Sequence, residues 1–145
     1  MRGGGTEWGR GTAAAVSLAG AAAVGAAVGV SPEALADGPG LCPFAHLTGL
    51  PCPGCGLTRS WVALGHGDVV GAFGLNWFGP LFLTVAVVVT GVALWTALAG
   101  GGALNRAQRV LTGRVALVVL VMWVGYGLAR MLDAGFGWGF FALVV

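Results

Sequence analysis

All three cysteines of this chain fall within fourteen residues, at Cys42, Cys52 and Cys55. Two of them bracket the turn Cys52-Pro53-Gly54-Cys55, and Pro51 precedes the first. Prolines and glycines narrow the backbone choices, so the thiols are expected on a stiff, turn-rich frame. Three chemistries are open to such a set. In the leading reading, two cysteines form a structural disulfide that staples the loop and the third is buried; such bridges persist outside the cytoplasm. Alternatively, Cys52 and Cys55 cycle between dithiol and disulfide while Cys42 resolves or relays. No thioredoxin-like βαβ pattern surrounds the motif, so that fold would not carry the exchange. In the third reading, Cys42, His46, Cys52 and Cys55 bind zinc or iron. The spacing C-x3-H-x5-C-x2-C suits a tetrahedral Cys3His set, although a second complete half-site is missing. Only this last reading requires a cofactor.

The local frame favours one thiol. Pro53 suits the first position of a helix with Cys52 as its cap, where unpaired N–H groups would make Cys52 the most thiolate-like of the three. Thr58 offers an alternative cap, which leaves the whole motif as loop. A short, weakly amphipathic helix carrying Trp61 follows and is expected at the membrane surface. Arg59 is the only basic residue between positions 31 and 77. It is a candidate contact for a lipid phosphate or another anion, with a structural pairing to Asp68 as the alternative. His66 reads as an ordinary polar residue. There are no paired carboxylates, no Ser-His-Asp set and no phosphate loop. Beyond the C-x-x-C there is no recognisable catalytic constellation.

The run Cys42-Pro43-Phe44, followed by Thr48-Gly49-Leu50-Pro51-Cys52-Pro53-Gly54-Cys55-Gly56-Leu57-Thr58-Arg59, resembles a bacterial membrane family catalogued as domain of unknown function 2752. The likeness continues more loosely through Gly67-Asp68 and Asn76, and covers about residues 41–98. Trp77 stands where the resemblance leads one to expect proline. The family brings no activity with it. What the resemblance implies is a multi-pass protein of the bacterial cytoplasmic membrane.

The elements that must position these residues are apolar. Of 145 residues, 57% are hydrophobic and 8% charged, whereas a soluble domain has about 25% charged residues. Most of the outer surface must therefore face lipid. There is no lysine, and the net charge of +2 forms no basic stripe of the kind nucleic acid requires. The composition predicts an all-α integral membrane protein with about three transmembrane helices. Residues 11–30, 78–98 and 115–132 are the expected spans, each close to the ~30 Å of hydrocarbon that ~20 helical residues cross. Trp77 and Trp95 flank the second span as interfacial aromatics do. Residues 133–145 are too few to span alone; they extend the last helix or lie at the interface. Arg130 with Asp133 is expected to snorkel to the interface and pair at i,i+3; the functional alternative is an arginine held inside the membrane.

Arginine placement sets an expected orientation. Arg2 and Arg10 precede the first span, and Arg106, Arg109 and Arg114 separate the second from the third. With residues 1–10 and 99–114 cytoplasmic, five of the seven arginines lie inside, the positive-inside pattern. Residues 31–77, with the cysteines, are then extracytoplasmic. Ala34-Leu35-Ala36 after the first apolar run resembles a signal cleavage site, but a run of this length favours a retained helix. Gly25 and Gly29 form a G-x-x-x-G pair, which reads first as an alanine-rich helix that happens to contain glycines and, as the alternative, as a face through which the first helix packs, including against a second copy.

Overall fold

The computed structural model describes residues 9–36 and 42–141; Arg2, Asp37 and residues 142–145 lie outside them. Among the described residues the regular elements are all helices, with no strand: α1 (Arg10–Gly29), α2 (Pro32–Ala36), α3 (Pro43–Thr48), α4 (Leu57–Gly65), α5 (Val69–Leu75), α6 (Gly79–Ala99), α7 (Ala103–Leu111) and α8 (Arg114–Phe136). Three of these, α1, α6 and α8, are long and apolar enough to cross a membrane. Their large apolar side chains point outward, as Leu18, Val88, Leu98, Leu117, Val121 and Leu132 illustrate. In water that surface would be a severe liability. In hydrocarbon it is the solvated face.

Two of the spans pack by small residues. Against α6, α1 closes at Gly20, where a Cβ would sit 3.0 Å from the Thr90 Cβ. Ala13 and Ala93 are fully buried in the same seam, and Leu104 of α7 completes the cluster. Close backbone approach is what small residues allow between helices in lipid. The G-x-x-x-G pair, Gly25 and Gly29, has no neighbour within 4 Å of either Cβ position, as in an alanine-rich helix that merely contains glycines. Gly20 takes that role within the chain instead. At the far end of the pair, Arg10 donates through Nε to the Ala97 carbonyl (3.1 Å) and through Nη2 to the Leu98 carbonyl (3.0 Å). A cation there offsets the unpaired carbonyls of the α6 C-terminus.

The connections hold more structure than the sequence predicts. The sequence leads one to expect one short helix in residues 31–77; among the described residues of that segment there are four. Pro32 and Pro43 each open a helix at its first position, where the missing N–H costs nothing. Asp68 caps α5 by accepting from the Gly71 amide at 2.8 Å, so its carboxylate serves the helix start. The expected basic loop 99–114 contains α7, which buries Leu104 and leaves Arg106 and Arg109 exposed. The third span runs to Phe136, four residues past its expected end, and stops at Gly137 in the left-handed region (φ 68°). The chain then folds back, and Asp133 accepts from the amides of Phe140 and Phe141, each at 2.9 Å.

An aromatic cluster joins α8 to the start of α6. Tyr126 stacks on Trp77 (5.8 Å) and meets Phe78 (5.5 Å) and Phe141 (5.6 Å); Trp123 meets Phe82 edge-on (5.7 Å). Aromatics with a polar tip are at home where hydrocarbon meets water. This end of the bundle carries the cysteine segment. Arg10, Arg106, Arg109 and Arg114 lie at the other end, around the α6 C-terminus, α7 and the start of α8.

Candidate functional site: a three-cysteine cluster

Two short pieces of backbone bring the sulfurs together. Cys42 is the cap residue of α3, with extended φ/ψ (−95°, 105°), and Pro43 begins the helix. Gly49 ends α3 in the left-handed region, and its amide returns to the Ala45 carbonyl at 2.8 Å. Thr48 then guides the chain around: its hydroxyl donates to the Phe44 carbonyl (2.7 Å) and accepts from the Leu50 amide (3.2 Å). Pro51 is fully buried. After it, Cys52-Pro53-Gly54-Cys55 closes a turn through the Cys55 amide and the Cys52 carbonyl at 2.9 Å. A four-residue turn with Pro second and Gly third is what that sequence favours.

The result is a compact cluster of free thiols. The Cys52 sulfur lies 3.2 Å from that of Cys42 and 3.1 Å from that of Cys55. All three sulfurs lie within 4.8 Å of one another. The Cys52 amide also donates to the Cys55 sulfur at 3.1 Å. Cys42 and Cys52 are half-buried, while Cys55 is buried.

Their environments set the thiols apart. The amides at the start of α3, chiefly that of Ala45, pull the Cys42 thiol below its usual pKa, and the Cys52 thiol adds to the effect. No cap hydrogen bond to the sulfur is closed, so the pull is that of the oriented N–H dipoles. Burial, seconded by the Cys52 side chain, pushes Cys55 up to about 12. Taking a thiolate out of water is the larger cost here. The motif does not start a helix at Pro53: residues 53–56 are turn, and α4 begins at Leu57 after Gly56 (φ 80°). Cys42, rather than Cys52, is therefore the helix-capping thiol.

A buried polar network holds the turn from behind. Asn76, fully buried, donates through Nδ2 to the carbonyls of Pro53 (3.2 Å) and Cys55 (3.1 Å), and its Oδ1 accepts from the Phe78 amide (3.0 Å). Arg130 does not snorkel. It is 2% exposed, and its Nη1 donates to the Cys55 carbonyl at 2.8 Å. Burial in this place follows from Gly127, where α8 presses so closely on Pro53 that a Cβ would sit 2.7 Å from the Pro53 Cα. Ser60, also fully buried, donates to the Ala72 carbonyl at 2.8 Å and ties α4 to α5 beneath the cluster.

Other candidates fall outside the cluster. His46 is exposed in the last turn of α3, and the ligand atoms that converge among the described residues are the three sulfurs. Arg59 is half-buried on α4, with no hydrogen bond or ion pair among the described residues. His66 closes α4, its Nδ1 2.9 Å from the Val62 carbonyl. Of the residues behind the turn, Asn76 is absent from the site expected from sequence, and Arg130 enters there only as the alternative to an interfacial arginine. For Arg130 a signal existed, since a charge inside an apolar run is by default a functional candidate. For Asn76 the only signal was its place in the motif that carries the resemblance.

No curated protein and no solved structure matches the chain. Residues 42–90, from Cys42 through the first half of α6, match the model of the family described as a protein of unknown function, DUF2752, the same family that the cysteine motif resembles.

Proposed function

We propose that the cluster is a thiol–disulfide exchange centre at the surface of a bacterial membrane, facing out of the cytoplasm. One observation carries this reading: Cys52 has a second sulfur within bonding reach on each side, at 3.2 and 3.1 Å. A static staple needs two cysteines. A third that can reach the same sulfur makes the bridge exchangeable.

In the oxidised form Cys42 and Cys52 share the bridge. A client thiolate attacks the Cys52 sulfur; the Cys42–Cys52 bond breaks, and Cys42 leaves as the thiolate that the α3 amides favour. A second client thiol, ionised, then attacks the mixed disulfide on the client's own sulfur. Cys52 departs and takes up a proton. The client dithiol is oxidised by two electrons, and the Cys42–Cys52 pair is reduced by two. A low-pKa leaving thiol speeds the first step. Cys55, whose thiol burial pushes up to about 12, clears a stalled mixed disulfide only after losing its proton.

The convergence of three ligand atoms within 4.8 Å also favours a second reading, a metal held by Cys42, Cys52 and Cys55 with a fourth position open. Zinc or iron suits thiolates at such a centre. Full-length protein purified without reductant or chelator separates the two. The expected result is a Cys42–Cys52 bridge in peptide mass spectra, opened by a small dithiol and re-formed by oxidised glutathione. About one metal per chain, lost in Cys52→Ser, establishes the metal centre instead. Three thiols inert to both glutathione and metal overturn both.

A further inference from the structure

A guanidinium buried near the end of a membrane span is costly, and such residues persist where they serve partners in the protein interior. Arg130 has such a partner in the Cys55 carbonyl, 75 positions away in the chain and 2.8 Å from Nη1. The same oxygen accepts from Asn76 Nδ2 at 3.1 Å. One turn earlier on α8, Gly127 lies flush against Pro53. The Tyr126 ring supports the guanidinium at 5.6 Å, within cation–π range. The third span thus holds the Cys-Pro-Gly-Cys turn at two points, Pro53 and Cys55, on either side of Gly54. Cys42 is carried by a different element, α3. The distance from Cys52 to each neighbour therefore depends on how the turn is seated against α8.

We propose that Arg130 is a positioning residue of the sulfur cluster, acting from the third span through the Cys55 carbonyl to set which neighbour Cys52 meets. Arg130 and Gly127 both lie outside the matched residues 42–90. The inference deepens the exchange reading by adding a control element. It makes span and cluster reciprocal: if the seat of α8 sets the sulfur geometry, a change of sulfur pairing must alter α8.

The test uses the full chain in detergent or nanodiscs, as wild type, Arg130→Gln, Arg130→Lys and the exposed control Arg109→Gln. Two quantities are read: the pH profile of alkylation at each cysteine of the reduced protein, and the ratio of Cys42–Cys52 to Cys52–Cys55 bridges in a glutathione buffer. Loss of a charge-assisted bond to a buried carbonyl is expected to change the bridge ratio about tenfold in Arg130→Gln, with partial recovery in Arg130→Lys and no change in Arg109→Gln. A folded Arg130→Gln protein whose ratio and profile stay within about twofold of wild type overturns the proposal. If that variant does not fold, hydrogen exchange of wild-type residues 127–133 decides the matter: it must differ between the reduced and bridged forms, and identical exchange overturns it. Absence of any bridge in wild type would defeat the exchange reading alone. The alkylation profile of the reduced protein would still judge Arg130.

Discussion

At neutral pH a thiol cluster reacts through whichever sulfur ionises first, and the α3 amides make Cys42 the one pulled below its usual range. Cys55 is displaced the other way, from 9.0 to about 12, chiefly by burial. In the reduced protein, alkylation of Cys42 should therefore set in at lower pH than that of a free thiol, and Cys55 should be the last to react. Peptide mass spectrometry of timed iodoacetamide reactions checks the order, and Cys55 labelling first would refute it. The same shift has a stability consequence. A thiol whose folded pKa is raised contributes stability that is intact below 9.0 and is lost as pH climbs toward about 12. The midpoint of thermal unfolding should fall across that interval, and Cys55→Ala should flatten the fall. The clustering of three sulfurs was legible in sequence from their spacing alone. The identity of the capping thiol was not, because Asn76 and Arg130 hold the Cys55 carbonyl and the helix starts only after it. Bonds from residues 21 and 75 positions away leave no local trace in the motif.

At the level of elements, the apolar runs showed where α1, α6 and α8 would lie, since about 20 predominantly apolar residues admit few other fates, even with Arg130 inside the third. The short helices were harder. The helix α7 has nine residues, too few for its period to stand out from a basic loop, and it forms because Leu104 packs into the α1–α6 seam. The helices α3 and α5, of six and seven residues, are likewise sustained by caps and packing rather than by propensity. The platform beneath the cysteines depends on one close crossing. Gly79, the first residue of α6, meets Ser60 of α4, and a Cβ there would lie 2.6 Å from the Ser60 Cβ. Gly79→Val should overpack this crossing and destabilise the protein by about 1–3 kcal/mol. Thermal unfolding in one detergent measures the loss, and an unchanged midpoint would show that α4 is free to shift. Gly25→Val, on an open face of α1, is the matched control for the added side chain.

Across the whole molecule, polarity is sorted by end. Arg10 binds the last carbonyls of α6, and α7 with Arg106 and Arg109 leads directly into Arg114 at the start of α8. The opposite end holds the sulfurs, the Asn76–Arg130 network and the aromatic cluster around Tyr126. The sorting of arginines, and the outward-facing cysteine loop it implies, were readable from the sequence; the contact that joins Arg130 to the cysteine end was not. The sorting puts the thiols at the end of the bundle opposite Arg10, Arg106, Arg109 and Arg114. Arginine-rich ends stay in the cytoplasm during insertion, so the sulfur cluster should face the oxidising side, where a disulfide can persist. Truncations fused to alkaline phosphatase after Gly67 and after Gly102 test this in cells. The expected outcome is high phosphatase activity for the Gly67 fusion and little for the Gly102 fusion, with the reverse pattern when a cytoplasm-active reporter replaces phosphatase. A phosphatase-active Gly102 fusion would invert the orientation and place the thiols among cytosolic reductants. There an exchangeable bridge would rest in the reduced state, and the three sulfurs would be poised as thiolate ligands, so the same result would move the balance from exchange to metal.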